Sequence, residues 1–148
     1  LLRKLNPDFQ KSQRDDLFSM EIGLLQFKGR VHFAMCKCIN SELEQLKDCD
    51  RNELIHNVST IIDKAIHANY TIYPINYIAY DQLENGTRFA SQYTNKDVEE
   101  VNSYIDQQLD KVTDIPNITA EDRAYMRNMM LSMYANPLRN KLIATGKE

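Results

Sequence analysis

One β-rich segment in an otherwise helical chain is the feature that most constrains the fold. Residues 29–35 alternate along the chain, with Val31, Phe33 and Met35 on one side. A single strand cannot satisfy its own backbone donors and acceptors, so it needs a partner strand. No second convincing strand is visible, so the partner belongs either to another copy of the chain or to sequence that precedes Leu1. We favour the second, because the chain opens with two leucines and no initiator Met.

The composition describes one ordinary domain and excludes several classes of protein. The chain has 148 residues, of which 43% are hydrophobic and 26% are charged, and its formal net charge is -3. That balance argues against a nucleic-acid partner, which usually requires a basic face. It leaves peripheral membrane contact open, since local patches matter more there than net charge. No apolar run approaches the roughly 20 residues that span a bilayer.

The cysteines and histidines do not form a convincing metal site. The three cysteines are an odd number without framework spacing, which favours reduced thiols in a cytoplasmic protein. Cys36 and Cys38 are one residue short of a CxxC pair, and free thiols are the better interpretation. His56 and His67 lie about three helical turns apart, roughly 16 Å, which is too far to share a metal. We therefore predict no metal site and no cofactor.

Capping patterns predict where most helices begin. Asn6-Pro7 predicts a helix that reaches about Leu25, with an apolar stripe along one face. An N-cap residue followed three positions later by an acid recurs along the chain. Pro74 predicts a further helix to about Leu83, and Asn136-Pro137 predicts the end of the last one. The pairs that follow the capping pattern are Ser41 with Glu44, Asp50 with Glu53, Thr94 with Asp97, and Thr119 with Asp122.

Two groups of side chains are weak candidates for a ligand groove. Tyr73 and Tyr77 belong to a cluster of four tyrosines within eleven residues, whose apolar bodies and polar tips suit a ligand or lipid groove. Arg88 follows Gly86, and residues 84–88 resemble a loop that grips a phosphate. The alternatives are helix packing for the tyrosines and a helix-terminating turn for residues 84–88. A methionine stripe, Met126 to Met133, is either an adaptable binding surface or a core or subunit-contact face.

No catalytic signature stands out in the sequence. There is no Ser-His-Asp arrangement, Gly-rich phosphate loop or pair of carboxylates suited to acid–base chemistry. We therefore assign no catalytic residues to the chain. Tyr73, Tyr77 and Arg88 are the only site residues that we single out, as groove candidates.

Four segments resemble the C-terminal part of a bacterial phospholipid/glycerol acyltransferase-like family. They are residues 6–17 (NPDFQKSQRDDL), 29–33 (GRVHF), 73–81 (YPINYIAYD) and 133–138 (MYANPL). The resemblance implies a parent α/β domain whose sheet ends in a late strand like residues 29–35. It also implies transfer of a fatty acyl group from acyl-CoA or acyl carrier protein to a glycerol-phosphate or lysophospholipid hydroxyl.

The chain departs from the family's motifs. The family uses His-x-x-x-x-Asp for its general base and orienting carboxylate, but no Asp stands five residues after any histidine here. The family's phosphate motif precedes the late strand, whereas residues 84–88 follow it with an inserted Asn, so we do not carry that role over. The usual Gly-x-Pro-Ile after the strand is replaced by Cys36-Lys37-Cys38-Ile39. We expect the catalytic residues upstream of Leu1.

The resulting prediction is a mainly α fold with one short β-strand at about residues 29–35. Residues 1–148 would form a single helical C-terminal segment of a larger α/β acyltransferase-like domain, located in the cytoplasm or at the inner face of the membrane. Its partners would be the upstream part of the same protein, the acyl donor and the lipid acceptor. The competing hypothesis is a non-enzymatic helical module that dimerises through residues 30–35 and the Met-rich helix. A third hypothesis is that the chain binds a small molecule. An enclosed pocket lined by Tyr73 and Tyr77 would support it.

Overall fold

The computed structural model of the chain is mainly helical and describes residues 1–26, 29–113 and 115–147. Within those ranges it contains seven α-helices and one short 3-10 turn at Ala90–Gln92. We call α5, α6 and α7 together the helical body. The α-helices are α1 (Leu2–Leu5), α2 (Gln13–Leu25), α3 (Asn40–Gln45), α4 (Arg51–Asn69), α5 (Pro74–Leu83), α6 (Asn95–Asp110) and α7 (Ala120–Thr145).

The capping patterns are confirmed for the longer helices. The Asp50 carboxylate accepts hydrogen bonds from two backbone amides in the first turn of α4. Thr94 and Thr119 each form a reciprocal capping box with the acid three residues later, at the starts of α6 and α7. The start of α2 is different from the prediction, since Ser12 rather than Asn6 caps this helix. Local hydrogen bonds to the first free amides therefore decide where these helices begin.

The short strand predicted over residues 29–35 is not present in the structure. This segment has no regular secondary structure, and the described part of the chain contains no strand to pair with it. The backbone of residues 31–38 forms no hydrogen bond with another described residue. The apolar side chains of this segment are exposed to solvent: Phe33 is 92% exposed and Met35 is 98% exposed. The alternating pattern suits a strand, but a strand forms only where a neighbour accepts and donates its backbone hydrogen bonds.

Every fully buried side chain in the described residues lies between Asn76 and Leu138. The apolar core is formed where α5 packs chiefly on α7 and α6 packs against both. None of the described residues from Leu1 to Tyr70 is buried, and the predicted apolar stripe of α2 faces solvent. The helical body therefore carries its own core, whereas the amino-terminal half does not. The buried apolar residues are Ile78, Ala79, Val101, Ile105, Leu109, Met126, Leu131, Ala135 and Leu138.

The last helix does not stop at Asn136-Pro137 as predicted, because side chains from another part of the chain support the proline turn. Pro137 lies inside α7, which continues to Thr145. A proline removes one backbone donor from a helix and crowds the preceding turn. The Asn76 amide donates to the backbone oxygen of Tyr134 at 2.8 Å, and the Tyr70 hydroxyl donates to the backbone oxygen of Pro137. These contacts stabilise the turn from outside the helix.

Candidate functional site

An open groove lies where residues 29–30 pass the first turns of α5 and α6. Its volume is about 380 Å³. We call it the tyrosine groove and define it by an apolar wall and a charged rim. The wall comprises Tyr73, Pro74, Ile75, Val101 and Tyr104, and the rim comprises Arg30, Asp97 and Glu100, with Gly29 at the edge. Such a combination of aromatic wall and few polar groups is typical of binding grooves.

The charges at the rim are partly neutralised within the chain. The Thr94 hydroxyl and backbone amide donate to the Asp97 carboxylate, which lowers its pKa, and the positive charge of Arg30 lowers it further. Glu100 lies 3.6 Å from the Lys96 ammonium. The rim thus brings the positive charge of Arg30 near the carboxylate of Asp97 at the start of α6.

The two tyrosines of the groove differ in the state of their hydroxyls. The Tyr104 hydroxyl is hydrogen-bonded to the Tyr134 hydroxyl at 2.7 Å, with the rings edge to face. Burial, followed by the bond to Tyr104, raises the pKa of Tyr134 well above its usual range. The Tyr73 hydroxyl donates no hydrogen bond to a described residue, so it can donate to a ligand beside the charged groups of the rim.

Tyr77 and Arg88 do not line the tyrosine groove. Both lie against Phe89, with the Tyr77 ring centroid 5.3 Å and the Arg88 guanidinium 5.2 Å from the Phe89 ring centroid. Arg88 also donates to the backbone oxygen of Lys147 at 2.7 Å. Of the three candidates, Tyr73 therefore stands apart from the other two. An enclosed pocket lined by both Tyr73 and Tyr77 is not found among the described residues.

Residues 84–88 form a turn that is held by contacts within the chain. Glu84 pairs with Arg139 at 2.7 Å, and the Gly86 amide donates to the backbone oxygen of Asp81 at 2.9 Å. Asn85 has a positive φ of 50°, which Asn tolerates better than most residues. With the Arg88 guanidinium bound to the end of α7, the geometry fits the helix-terminating turn rather than a phosphate grip.

Sequence reasoning missed Asp81, whose buried carboxylate organises the loop after α5. Asp81 is only 3% exposed. Its carboxylate accepts hydrogen bonds from the Phe89 amide at 3.0 Å and from the Tyr93 hydroxyl at 2.8 Å. Burial and then this carboxylate raise the pKa of Tyr93. The signal in the sequence was an acid on the last turn of an apolar helix, a position that requires a hydrogen-bonding partner.

Of the cavities elsewhere in the described part of the fold, two are the most spacious. One of about 660 Å³ separates α4 from the end of α7, with Asp63, Lys64 and His67 on one wall. Another of about 490 Å³ lies beside Asp81 and is bordered by Arg127. The Arg127 guanidinium is already bonded to Asp106 and Asn102. The structure shows no hydrogen bond between His67 and a hydroxyl or thiol of another described residue in the first cavity.

No metal site or membrane-spanning helix occurs in the described ranges. No group of three or more His, Cys, Asp or Glu side chains there could hold a metal ion. The three cysteines are free, with Cys36 and Cys38 exposed. None of the helices in the described ranges combines the length and apolarity that crossing a membrane requires.

The chain matches no protein-family model, no curated protein and no solved structure. The residues and their geometry are then the basis on which a function is argued.

Proposed function

We propose that this chain is the helical C-terminal part of an acyltransferase acting at the inner face of a membrane. The enzyme would move a fatty acyl group from acyl-CoA or acyl carrier protein to the hydroxyl of a glycerol phosphate or lysophospholipid. The four segments that resemble the acyltransferase-like family suggest this chemistry. The observation that carries the proposal is the exposure of residues 31–38, whose backbone is unpaired among the described residues. They lie in an amino-terminal half in which no described residue is buried.

The exposed segment has the properties of a strand that lacks its sheet. Val31, Phe33 and Met35 project apolar side chains into solvent, and the backbone between them is unpaired among the described residues. A neighbouring strand would supply both hydrogen-bond partners and apolar cover. Exposed edges of this kind are rare in complete proteins, because they promote aggregation. The catalytic α/β sheet proposed upstream of Leu1 would provide that neighbour.

Two helices of the amino-terminal half carry further uncovered apolar surface. Leu24 and Leu25 of α2 are exposed, and α4 presents Ile55, Ile62 and Ile66 to solvent along one face. Apolar patches of this kind mark contact surfaces for another protein segment. A packed upstream domain would cover them together with residues 31–35.

In this proposal the chain supports catalysis and does not perform it. No Asp follows a histidine at the family's spacing, so the base and its orienting carboxylate would come from the upstream part. The helical body would close one edge of the catalytic domain. The tyrosine groove and the exposed apolar surfaces would contribute to the side that approaches the acyl donor or the lipid acceptor.

The competing function is a helical module that dimerises without catalysing a reaction. Met129 and Met133 are exposed on α7, and methionines suit adaptable contacts. In that case two copies would pair residues 30–35 antiparallel across a two-fold axis and bring the methionines into the interface.

The deciding experiment uses the complete gene product that contains this chain. Transfer of labelled acyl groups from acyl-CoA and from acyl carrier protein would be measured with glycerol phosphate and lysophospholipid acceptors. We expect transfer that Phe33→Asp reduces at least about tenfold, since a charge on the covered face disrupts the proposed strand contact. Phe33→Leu, which keeps the side chain apolar, would retain most activity, and Met133→Asp would leave it unchanged.

The contrary result is also specific. The acyltransferase proposal fails if no donor and acceptor pair yields transfer. A symmetric dimer in sedimentation, broken by both Phe33→Asp and Met133→Asp, would then identify the dimerising module instead.

A further inference from the structure

We propose that Lys141 is a latch that holds the carboxyl end of α4 on the helical body, so that releasing it loosens α4 while α5 and α6 stay folded. The proposal does not depend on acyl transfer. It rests on the contacts of one side chain at the junction between the half of the chain that lacks a core and the half that has one.

The Lys141 ammonium caps the carboxyl end of α4. Its Nζ donates to the backbone oxygens of Ala68 at 2.7 Å and of Tyr70 at 2.8 Å. The last carbonyls of a helix have no partners within the helix, and a cation there also opposes the negative end of the helix dipole. The side chain is part-buried at this point, so water screens the interaction less than it would at an exposed surface.

Tyr70 gives the latch a second point of attachment. Its hydroxyl donates to the backbone oxygen of Pro137, and the Lys141 ammonium lies 5.7 Å from its ring centroid. His67, in the last turn of α4, packs edge-on against the same ring at 5.9 Å. Pro137 and Lys141 are four residues apart and so share one face of α7. The end of α4 is therefore fixed to two adjacent turns of α7. The Tyr70 hydroxyl bonds to the turn at Pro137, and the Lys141 ammonium reaches back from the next turn.

Along the rest of its length α4 packs on α7 at positions that stay partly exposed. It contains no buried residue, and the cavity of about 660 Å³ lies between it and the end of α7. Elsewhere α4 exchanges hydrogen bonds with the amino-terminal half. The Cys36 thiol donates to the backbone oxygen of Ala65, and the Asn57 amide donates to the Cys49 sulfur. Contacts of that half with the body, such as Lys4 with Asp122, hold α1 rather than α4. Loss of the latch would thus leave α4 attached through its chain connection and through these partly exposed contacts with α7.

Hydrogen exchange on the full chain tests this proposal. Lys141→Met keeps the length of the side chain and removes its charge and donors. We expect amides of α4 to exchange about tenfold faster, while those of α5 and α6 change less than about twofold. Lys96→Met is the matched control, because Lys96 is an exposed lysine that makes one surface ion pair.

Two results would overturn the proposal. One is unchanged exchange in α4. The other is an equal rise in α4, α5 and α6, which would show a general loss of stability. If Lys141→Met does not fold, Tyr70→Phe replaces it, since that variant keeps the ring and removes only the hydroxyl bonded to Pro137. Faster exchange confined to α4 supports the latch, and any other pattern contradicts it.

Discussion

The amide of Asn76 donates to the backbone oxygen of Tyr134 at 2.8 Å, which joins the first turn of α5 to the proline turn of α7. The carbonyl oxygen of the same side chain accepts from the Tyr73 amide at 2.8 Å. One buried side chain therefore caps α5 and supports α7. The core between these two helices depends on this polar contact as well as on apolar packing.

Replacing Asn76 with Ala should lower the free energy of unfolding by about 2 kcal/mol, because the part-buried Tyr73 amide and Tyr134 carbonyl lose their partner. Urea denaturation measures the change. Asn128→Ala is the control, since Asn128 is exposed on α7 and forms no side-chain hydrogen bond with a described residue; it should change stability by less than about 0.5 kcal/mol. Equal effects of the two substitutions would contradict the role given to Asn76.

The bond between Asp81 and Tyr93 should be energetically coupled. Asp81→Ala and Tyr93→Phe each remove one partner of a hydrogen bond of 2.8 Å. In a double-mutant cycle we expect a coupling free energy of about 1 kcal/mol, within the range for residues in one network. Additive effects would mean that the Tyr93 hydroxyl does not stabilise the loop. Asp81→Ala alone should cost more than Tyr93→Phe, because the Phe89 amide also loses its acceptor.

Stability should decline in alkaline solution. Burial is the first cause that raises the pKa of Tyr70, Tyr93 and Tyr134 above the ordinary value of 10.0. The stability that these protonated hydroxyls confer is complete below pH 10.0 and is lost as pH rises through the folded-state pKa values. Denaturation at a series of pH values, with tyrosinate absorbance recorded in parallel, measures both effects. Tyr134→Phe should make the decline shallower, and an unchanged slope would refute the assignment.

Phe33 should contribute little to the stability of the chain by itself. Phe33→Ser is expected to change the free energy of unfolding by less than about 0.5 kcal/mol, since the side chain is 92% exposed. Ile105→Ala, in the core of the body, should cost about 2–5 kcal/mol. Phe33→Ser should also reduce binding of a hydrophobic dye. A large loss of stability would mean that the segment packs within the chain.

Local signals predicted most helix starts, and distant contacts explain what they missed. Asp50, Thr94 and Thr119 bond amides within three residues, so the sequence contains the whole interaction. The continuation of α7 past Pro137 depends on Asn76 and Tyr70, which lie 58 residues from Tyr134 and 67 residues from Pro137. Local sequence patterns cannot predict contacts between residues so far apart in the chain.

The three groove candidates lie at two different places in the fold for a similar reason. Tyr73 precedes Pro74 in extended backbone as the N-cap of α5, so it does not share the helical face on which Tyr77 lies. A spacing of four residues predicts a common face only when both residues are helical. Arg88 follows the turn at Gly86, and its position depends on the end of α7, which the sequence does not place.

The confinement of buried side chains to residues 76–138 has a consequence for how substitutions should be tolerated. A library of variants selected only for folding of this chain would retain almost any polar replacement at Phe33 or Met35, while rejecting changes at Ile105. Selection for assembly with a covering partner would reverse the tolerance at the first two positions. The difference between the two selections would map the contact surface residue by residue, whichever partner covers it.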